Sequence, residues 1–353
     1  MKKIFIGDIN ELRNVKRGFI IDFLKPFLNK KGLKEKELID TYGSYYQRYT
    51  IVGNVGEADF CILPFSWNYY VDNGKEKEAY LFIEECKRNK KKLFSFTSGD
   101  FGVTPLDKEA IIFRQSGYQS NRLKNQFAMS AFITDPVKVF YDGEFVQQPK
   151  GDKAKIGFCG QAVSNNLGYG LVFMMNLYRN LRYYTGFAKA EPQTLYPSTL
   201  RRNKILKKLE TSDKVESDFI IRDKYRSGAK TAEDQKRTTE EFYSNIKNTH
   251  YTVCVRGGGN FSVRLYETLA MGRIPIFINT DCVLPYDQYI DWKKHVVWIE
   301  EKEIENIGDI VNDFHNSIDP DDFRQLQINN RQLWLDFLSF SGFHNHIHKL
   351  VGK

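Results

Sequence analysis

The chain has 353 residues, 41% hydrophobic and 14% aromatic, with 52 Lys and Arg against 44 Asp and Glu, hence a formal net charge of +8. That length exceeds one ordinary core and predicts two domains, and the apolar content excludes an extensively disordered chain. No stretch reaches the roughly 18 uninterrupted apolar residues of a membrane span, and MKKIFIGDIN falls short of the roughly 7–15 apolar residues of a secretory signal core. The expectation is a soluble, cytoplasmic protein. Its five cysteines are odd in number, scattered and free of CxxC spacing, which reads as reduced thiols.

The positive charge calls for an anionic partner: nucleic acid, an anionic membrane face or a phosphorylated small molecule. Aromatics are not interleaved with Lys and Arg as in ribonucleoprotein motifs, so nucleic acid is not expected. The basic runs Lys87-Arg88-Asn89-Lys90-Lys91-Lys92 and Arg201-Arg202-Asn203-Lys204 read as solvated helix ends. A second reading gives one of them peripheral contact with anionic lipid at the inner face of the membrane.

In chain order, KIFIG (3–7), a helical pattern over Val15–Leu28, ADFCILPF (58–65), a helix over Glu76–Cys86, KLFSFTSGDFG (92–102) and IIFRQ (111–115) alternate strand with helix. This rhythm predicts a parallel sheet covered by helices on both faces. FVQQPKGDKA (145–154) breaks it as a linker. The rhythm resumes with Lys155–Gly160, a helix over Gly170–Tyr184, the strand DFIIRD (218–223), a charged helix over 231–249 and the strand YTVCVRG (251–257). The resulting parse is an α/β protein with domains at 1–150 and 151–335 facing a cleft, and a terminal helix at 336–353 packing back on the first domain.

The strand ending at Val255 runs into Arg256-Gly257-Gly258-Gly259, residues that permit positive φ and close backbone approach. Apolar residues Val263, Tyr266, Leu269 and Ala270 recur at helical spacing, with Ser262 as the N-cap. A glycine loop opening onto a helix N-terminus offers free N–H groups to a diphosphate. Arg264 and Glu267 share the opposite helix face. They serve either as phosphate and ribose ligands or as an exposed ion pair. The loop is neither G-x-x-x-x-G-K-[ST] nor G-x-G-x-x-G, which weighs against a nucleoside triphosphatase or dinucleotide oxidoreductase.

Residues 243–304 resemble the signature region of the exostosin-like glycosyltransferases. Arg256, Gly257, Ser262, Arg264, Glu267, Gly272, Pro275, Leu284, Pro285, Asp291 and Trp292 match its motif in order. Arg273 stands where that family usually has cysteine and Tyr286 where it has phenylalanine. The first half resembles it through Ala58-Asp59, Leu63-Pro64-Phe65 and Asp100-Phe101-Gly102. The resemblance implies two Rossmann-like domains of GT-B type, the first binding acceptor and the second a nucleotide sugar. It implies inverting transfer of a hexosyl or pentosyl group from a nucleotide diphosphate sugar, preferably UDP-linked, to a glycan or lipid-linked oligosaccharide in polysaccharide synthesis. Alternatives are a fucosyltransferase-like enzyme using a GDP-sugar, and a non-catalytic binder of polyanions or nucleotide sugars.

Displacement at the anomeric carbon needs a base for the acceptor hydroxyl and cations for the departing diphosphate. All six histidines lie in the last third of the chain, so a base in the first domain must be a carboxylate. Asp100 is the first candidate, with a turn cap in SGDFG as its plainer role, and Asp59 the second. Arg256, Arg264 and the N–H groups of Gly257 and Gly258 stand in for a metal, and no metal or other cofactor is expected. Asp319-Pro320-Asp321 reads as a helix N-cap, and His344-x-His346-x-His348 lacks companions to complete a metal shell. Asn279, Thr280 and Asp281 end a strand near the cleft and are candidates to touch the donor sugar.

Overall fold

In the computed structural model, which describes residues 1–8, 12, 15–16, 19–103, 109–162 and 169–350, the apolar runs of the first half form one sheet. Its strands are β1 (Lys2–Phe5), β2 (Tyr49–Ile51), β3 (Phe60–Ile62), β4 (Lys92–Phe96), β5 (Ile111–Arg114) and β6 (Gln126–Ala128). They lie in the order β2-β1-β3-β4-β5-β6, parallel throughout. Parallel neighbours require crossovers. These include α1 (Lys25–Leu28), α2 (Glu35–Tyr42), α3 (Trp67–Asp72) and α4 (Glu76–Arg88). Both sheet faces are covered: Phe60, Ile62, Phe94 and Phe96 enter one apolar layer, while alternate residues Cys61, Leu63 and Leu93 enter another, as the period of two dictates. The helix expected over 15–28 is shorter in its described part: a turn at Asp22–Leu24 and the four residues of α1; residues 17 and 18 lie outside the described residues.

After α5 (Pro136–Phe140), the second sheet contains β7 (Ala154–Gln161), β8 (Val215–Arg222), β9 (Tyr251–Cys254), β10 (Ile274–Asn279) and β11 (Val297–Glu300). Their order is β11-β10-β9-β7-β8, again all parallel. Its helices are α6 (Tyr169–Tyr184), α7 (Ser198–Glu210), α8 (Ala232–Lys247), α9 (Val263–Ala270), α10 (Ile307–Ser317) and α11 (Pro320–Leu333). Each sheet starts at an inner strand and winds both ways, so its switch point lies beside β1 or β7, where such folds bind ligands.

A π turn at Trp334–Leu338 redirects the chain into α12 (Phe340–Leu350). α12 packs on the first sheet: Phe343 meets Phe113 at 6.2 Å between ring centroids and His344 stacks on Tyr45 at 4.9 Å. Tyr286 donates its hydroxyl to the Phe343 carbonyl at 2.6 Å, which gives a physical use for tyrosine at this position. Arg273 is buried at the start of β10, away from the cleft, donating to the carbonyls of Val146, Lys247 and Met271. It thereby anchors the linker. Asp319 caps α11 as expected. Among the described residues, no helix is long and apolar enough to cross a membrane.

Candidate functional site

The loop after β9 folds on itself, with Gly257 N donating to Phe261 O at 3.0 Å. None of Gly257, Gly258 and Gly259 has positive φ, which corrects the conformational reason expected for them. Close approach is the reason instead. A Cβ on Gly259 would lie 1.9 Å from the Asp100 carbonyl oxygen, and one on Gly258 would lie 3.1 Å from Asp100 Oδ2. The loop after β4 therefore rests on the glycine loop and joins the carboxyl edges of the two sheets.

Ser262 occupies the N-cap position of α9, but its side chain makes no capping hydrogen bond. That leaves the first N–H groups of the helix without this partner. The apolar stripe also differs from expectation: Val263 is exposed, while Leu265, Tyr266, Leu269 and Ala270 are buried. Arg264 turns back over β7, donating from Nη2 to Cys159 O at 2.9 Å with its guanidinium 4.3 Å from the Phe158 ring centroid. Glu267 lies beside Tyr243, whose hydroxyl is 3.5 Å from Oε1.

A second arginine completes this edge. Arg202 on α7 donates to Gln161 O and Arg256 O, both at 3.2 Å, tying the ends of β7 and β9. The Nε atoms of Arg202, Arg256 and Arg264 are buried and have no hydrogen-bond partner. None of these three arginines has a salt bridge among the described residues. Burial first, then the charge of Arg264, pushes Arg202 down to about 10. Burial also lowers Arg264, opposed by the charge of Glu267. This is a desolvated cluster of cations at the switch point of the second sheet, with Glu267 beside Arg264. Arg202 is not part of a solvated helix end, as its basic run suggests, but is turned inward. Its spacing from buried Ile205, Leu206 and Leu209 places it on the inward helical face, and that was the available signal.

Arg256 is only 4% exposed and holds the seam between the sheets. It donates to Tyr118 Oη at 3.2 Å and Gln193 Oε1 at 2.6 Å, so its guanidinium is not free in the manner expected of a phosphate ligand. Asn260 reinforces the seam: its N–H donates to Ser116 Oγ at 2.9 Å, and its amide to Gly117 O and Thr280 O. Sequence reasoning missed that clamp. Asn279 donates to Glu300 Oε2 at 2.8 Å and accepts from Asp281 N. It lines a cavity of about 370 Å³ with Gln119, Asp281, Trp292 and Trp298. Thr280 instead is bound to Asn260 Oδ1, and Asp281 to Ser120 across the seam.

On the first-sheet side, a cavity of about 220 Å³ is lined by Ser66, Thr97, Ser98, Gly99, Gln115 and His344. Asp100, the residue after Gly99, is exposed and lies against the glycine loop. His344 Nδ1 pairs with Phe340 O at 2.8 Å, while buried Nε2 has no partner. Burial pushes this imidazole down to about 4, leaving Nε2 a neutral acceptor near pH 7. The last-third position of the histidines does not keep them all from the first sheet: α12 carries His344 to this cavity. Asp59 is at the amino end of β3, accepting from Lys3 N at 2.7 Å, opposite the edge where a base is needed. Among the described residues, no group of three His, Cys, Asp or Glu is placed to hold a metal ion.

Residues 173–314 match the Exostosin GT47 domain model. A probable glucuronosyltransferase from Oryza sativa subsp. japonica is 31% identical over 70 residues, 20% of this chain and 17% of the relative. Drosophila melanogaster Exostosin-1 is 31% identical over 71 residues, 20% of this chain and 9% of the relative. A probable β-1,4-xylosyltransferase from Arabidopsis thaliana is 30% identical over 70 residues, 20% of this chain and 17% of the relative. The chain thus spans less than a fifth of the length of each of these curated relatives. A glycosyltransferase structure from Rickettsia africae ESF-5 aligns with 99% of this chain and 97% of its own at TM-score 0.41 and 10% identity. The segment 173–314, which carries the glycine loop, Arg264 and Glu267, is thus similar to the exostosin-like glycosyltransferases.

Proposed function

We propose that the protein is an inverting glycosyltransferase that takes a sugar from a nucleotide diphosphate sugar, UDP-linked by preference. The observation that carries this reading is the cluster of Arg202, Arg264 and the glycine loop at the second sheet's switch point, against Asp100 of the first. The diphosphate sits on the two guanidiniums and the N–H groups of Gly258 and Gly259, Gly257 N–H being held by Phe261 O, where desolvated cations hold departing negative charge strongly. Glu267 accepts from ribose hydroxyls, and Asn279 contacts the donor. The names of the relatives favour a glucuronosyl or xylosyl group.

The acceptor hydroxyl enters from the Ser98–His344 cavity, where the His344 Nε2 lone pair receives a neighbouring sugar hydroxyl. Its oxygen attacks the anomeric carbon as the carbon–oxygen bond to the diphosphate breaks, inverting the configuration. Asp100 takes the hydroxyl proton, and Arg202 and Arg264 fill the charge-neutralising part that a divalent cation plays elsewhere. The acceptor is a glycan or lipid-linked oligosaccharide, presented at the cytoplasmic side of a membrane.

A panel of UDP- and GDP-sugars with nucleoside diphosphate release as readout tests the proposal. One sugar should turn over, with Asp100→Asn removing turnover while nucleotide binding persists. Binding without turnover of any sugar would make the protein a nucleotide-sugar binder, and full activity in Asp100→Asn would place the base elsewhere.

A further inference from the structure

Helix α6 is built the wrong way round for a surface helix. An amphipathic helix normally turns its apolar stripe to the core, yet none of α6's residues is buried. Residues Phe173, Asn176, Asn180 and Tyr183, at helical spacing, form its inward side. The two asparagine amides donate to Thr194 O at 3.1 Å and Gln193 O at 2.7 Å. The outward arc holds Leu171, Met174, Met175, Tyr178 and Leu181, and Phe187 follows the helix end, all 45–78% exposed. Scattered exposed apolar residues need no explanation, but a contiguous patch marks an interaction site.

We infer that this outward face of α6 lies in the interfacial layer of an anionic lipid bilayer. Charge selects that occupant. No Asp or Glu occurs from Tyr169 to Ala190, while Arg179 edges the apolar arc and Arg182 lies within it near the helix end, both exposed. An apolar arc edged by arginine and tyrosine is the pattern of helices lying in a membrane plane. A second copy fits less well, because this face carries no Asp or Glu to answer Arg179 and Arg182 of another molecule, and each molecule carries +8. The site also differs from the two basic runs, whose helices turn their apolar faces inward.

The position is continuous with the cleft. Arg179 lies over the Phe101 ring at 5.4 Å, next to Asp100. Asn180 holds the Gln193 backbone, and the Gln193 side chain accepts from Arg256. A bilayer against α6 therefore lies beside the mouth of the cleft, where a lipid-borne acceptor would enter. That last step rests on the transferase reading, whereas lipid binding itself does not.

Co-sedimentation with phosphatidylcholine vesicles, with and without about one-third phosphatidylglycerol, tests the inference in the absence of donor and acceptor. The wild type should bind the anionic vesicles. Met174→Asp with Leu181→Asp should weaken partitioning at least about tenfold with an unchanged melting temperature, and Arg179→Gln with Arg182→Gln should erase the preference for anionic lipid. The inference fails if the aspartate variant partitions like wild type. It fails equally if binding is lost only on neutralising Lys90, Lys91 and Lys92, or if the wild type is a dimer that the aspartate variant dissociates. Failure here leaves nucleotide binding untouched, and loss of nucleotide binding leaves this result untouched.

Discussion

Gly259→Ala adds one methyl group where two loops from different sheets touch. The new carbon would stand 1.9 Å from the Asp100 carbonyl oxygen and 2.8 Å from its carbonyl carbon. Nonbonded heavy atoms need about 3.5 Å, so the loops must part by roughly 1.6 Å. Both colliding atoms are backbone, and the loops are clamped nearby through Asn260 to Ser116 and Arg256 to Tyr118. Overpacking of this kind costs about 1–3 kcal/mol, or a few degrees in melting temperature for a chain of this size. Gly258→Ala is the internal control: its methyl meets only Asp100 Oδ2, at 3.1 Å, the movable end of an exposed side chain, so the change should stay within about 0.5 kcal/mol. Neither glycine has positive φ, which removes backbone strain from the comparison. Calorimetric melting of both variants, with nucleoside diphosphate titration, reads the difference. Equal melting temperatures for the two variants would refute the close-approach account of the glycine loop.

Two further predictions concern stability. Asp135 accepts from both terminal nitrogens of Arg331 at 2.7 and 2.8 Å, with each side chain 11% exposed. Asp135→Ala leaves that guanidinium buried and should cost about 3–5 kcal/mol in urea unfolding, with partial recovery on adding Arg331→Met; a loss below about 1 kcal/mol would contradict it. Burial, the largest cause, pushes both His250 and His344 down to about 4 from 6.5. The unfolded rings take protons first as pH falls below about 6.5, so the stability from these neutral rings is present above that pH. It is lost between 6.5 and 4, by roughly 1.4 kcal/mol per pH unit for each ring. Unfolding midpoints across that window should fall, with a flatter profile in His344→Phe; identical slopes would contradict the assignment.

The doubled strand–helix rhythm and the strand–glycine loop–helix unit around Arg256 were legible because local spacing produces them. Contacts over long sequence separations were not. Nothing near Asn260 shows that it grips Ser116 and Gly117, more than a hundred positions away, and nothing in the terminal helix shows that His344 stacks on Tyr45. Arg256 was recognised as important, yet its partners Tyr118 and Gln193 make it a seam residue as well. α6 was placed correctly as a helix, but its outward apolar face is visible only once its asparagines are seen to point inward.

The most direct test of the central claim is calorimetric titration of UDP and GDP, with and without EDTA, into the wild type and Arg202→Gln. The account predicts one nucleoside diphosphate per chain, EDTA without effect, and affinity at least about tenfold weaker in Arg202→Gln. The unliganded variant should stay folded, losing at most the two hydrogen bonds from Arg202 to Gln161 O and Arg256 O, about 1–3 kcal/mol. No binding at millimolar nucleotide, or equal affinity in the variant, would contradict a diphosphate site at the second sheet's switch point.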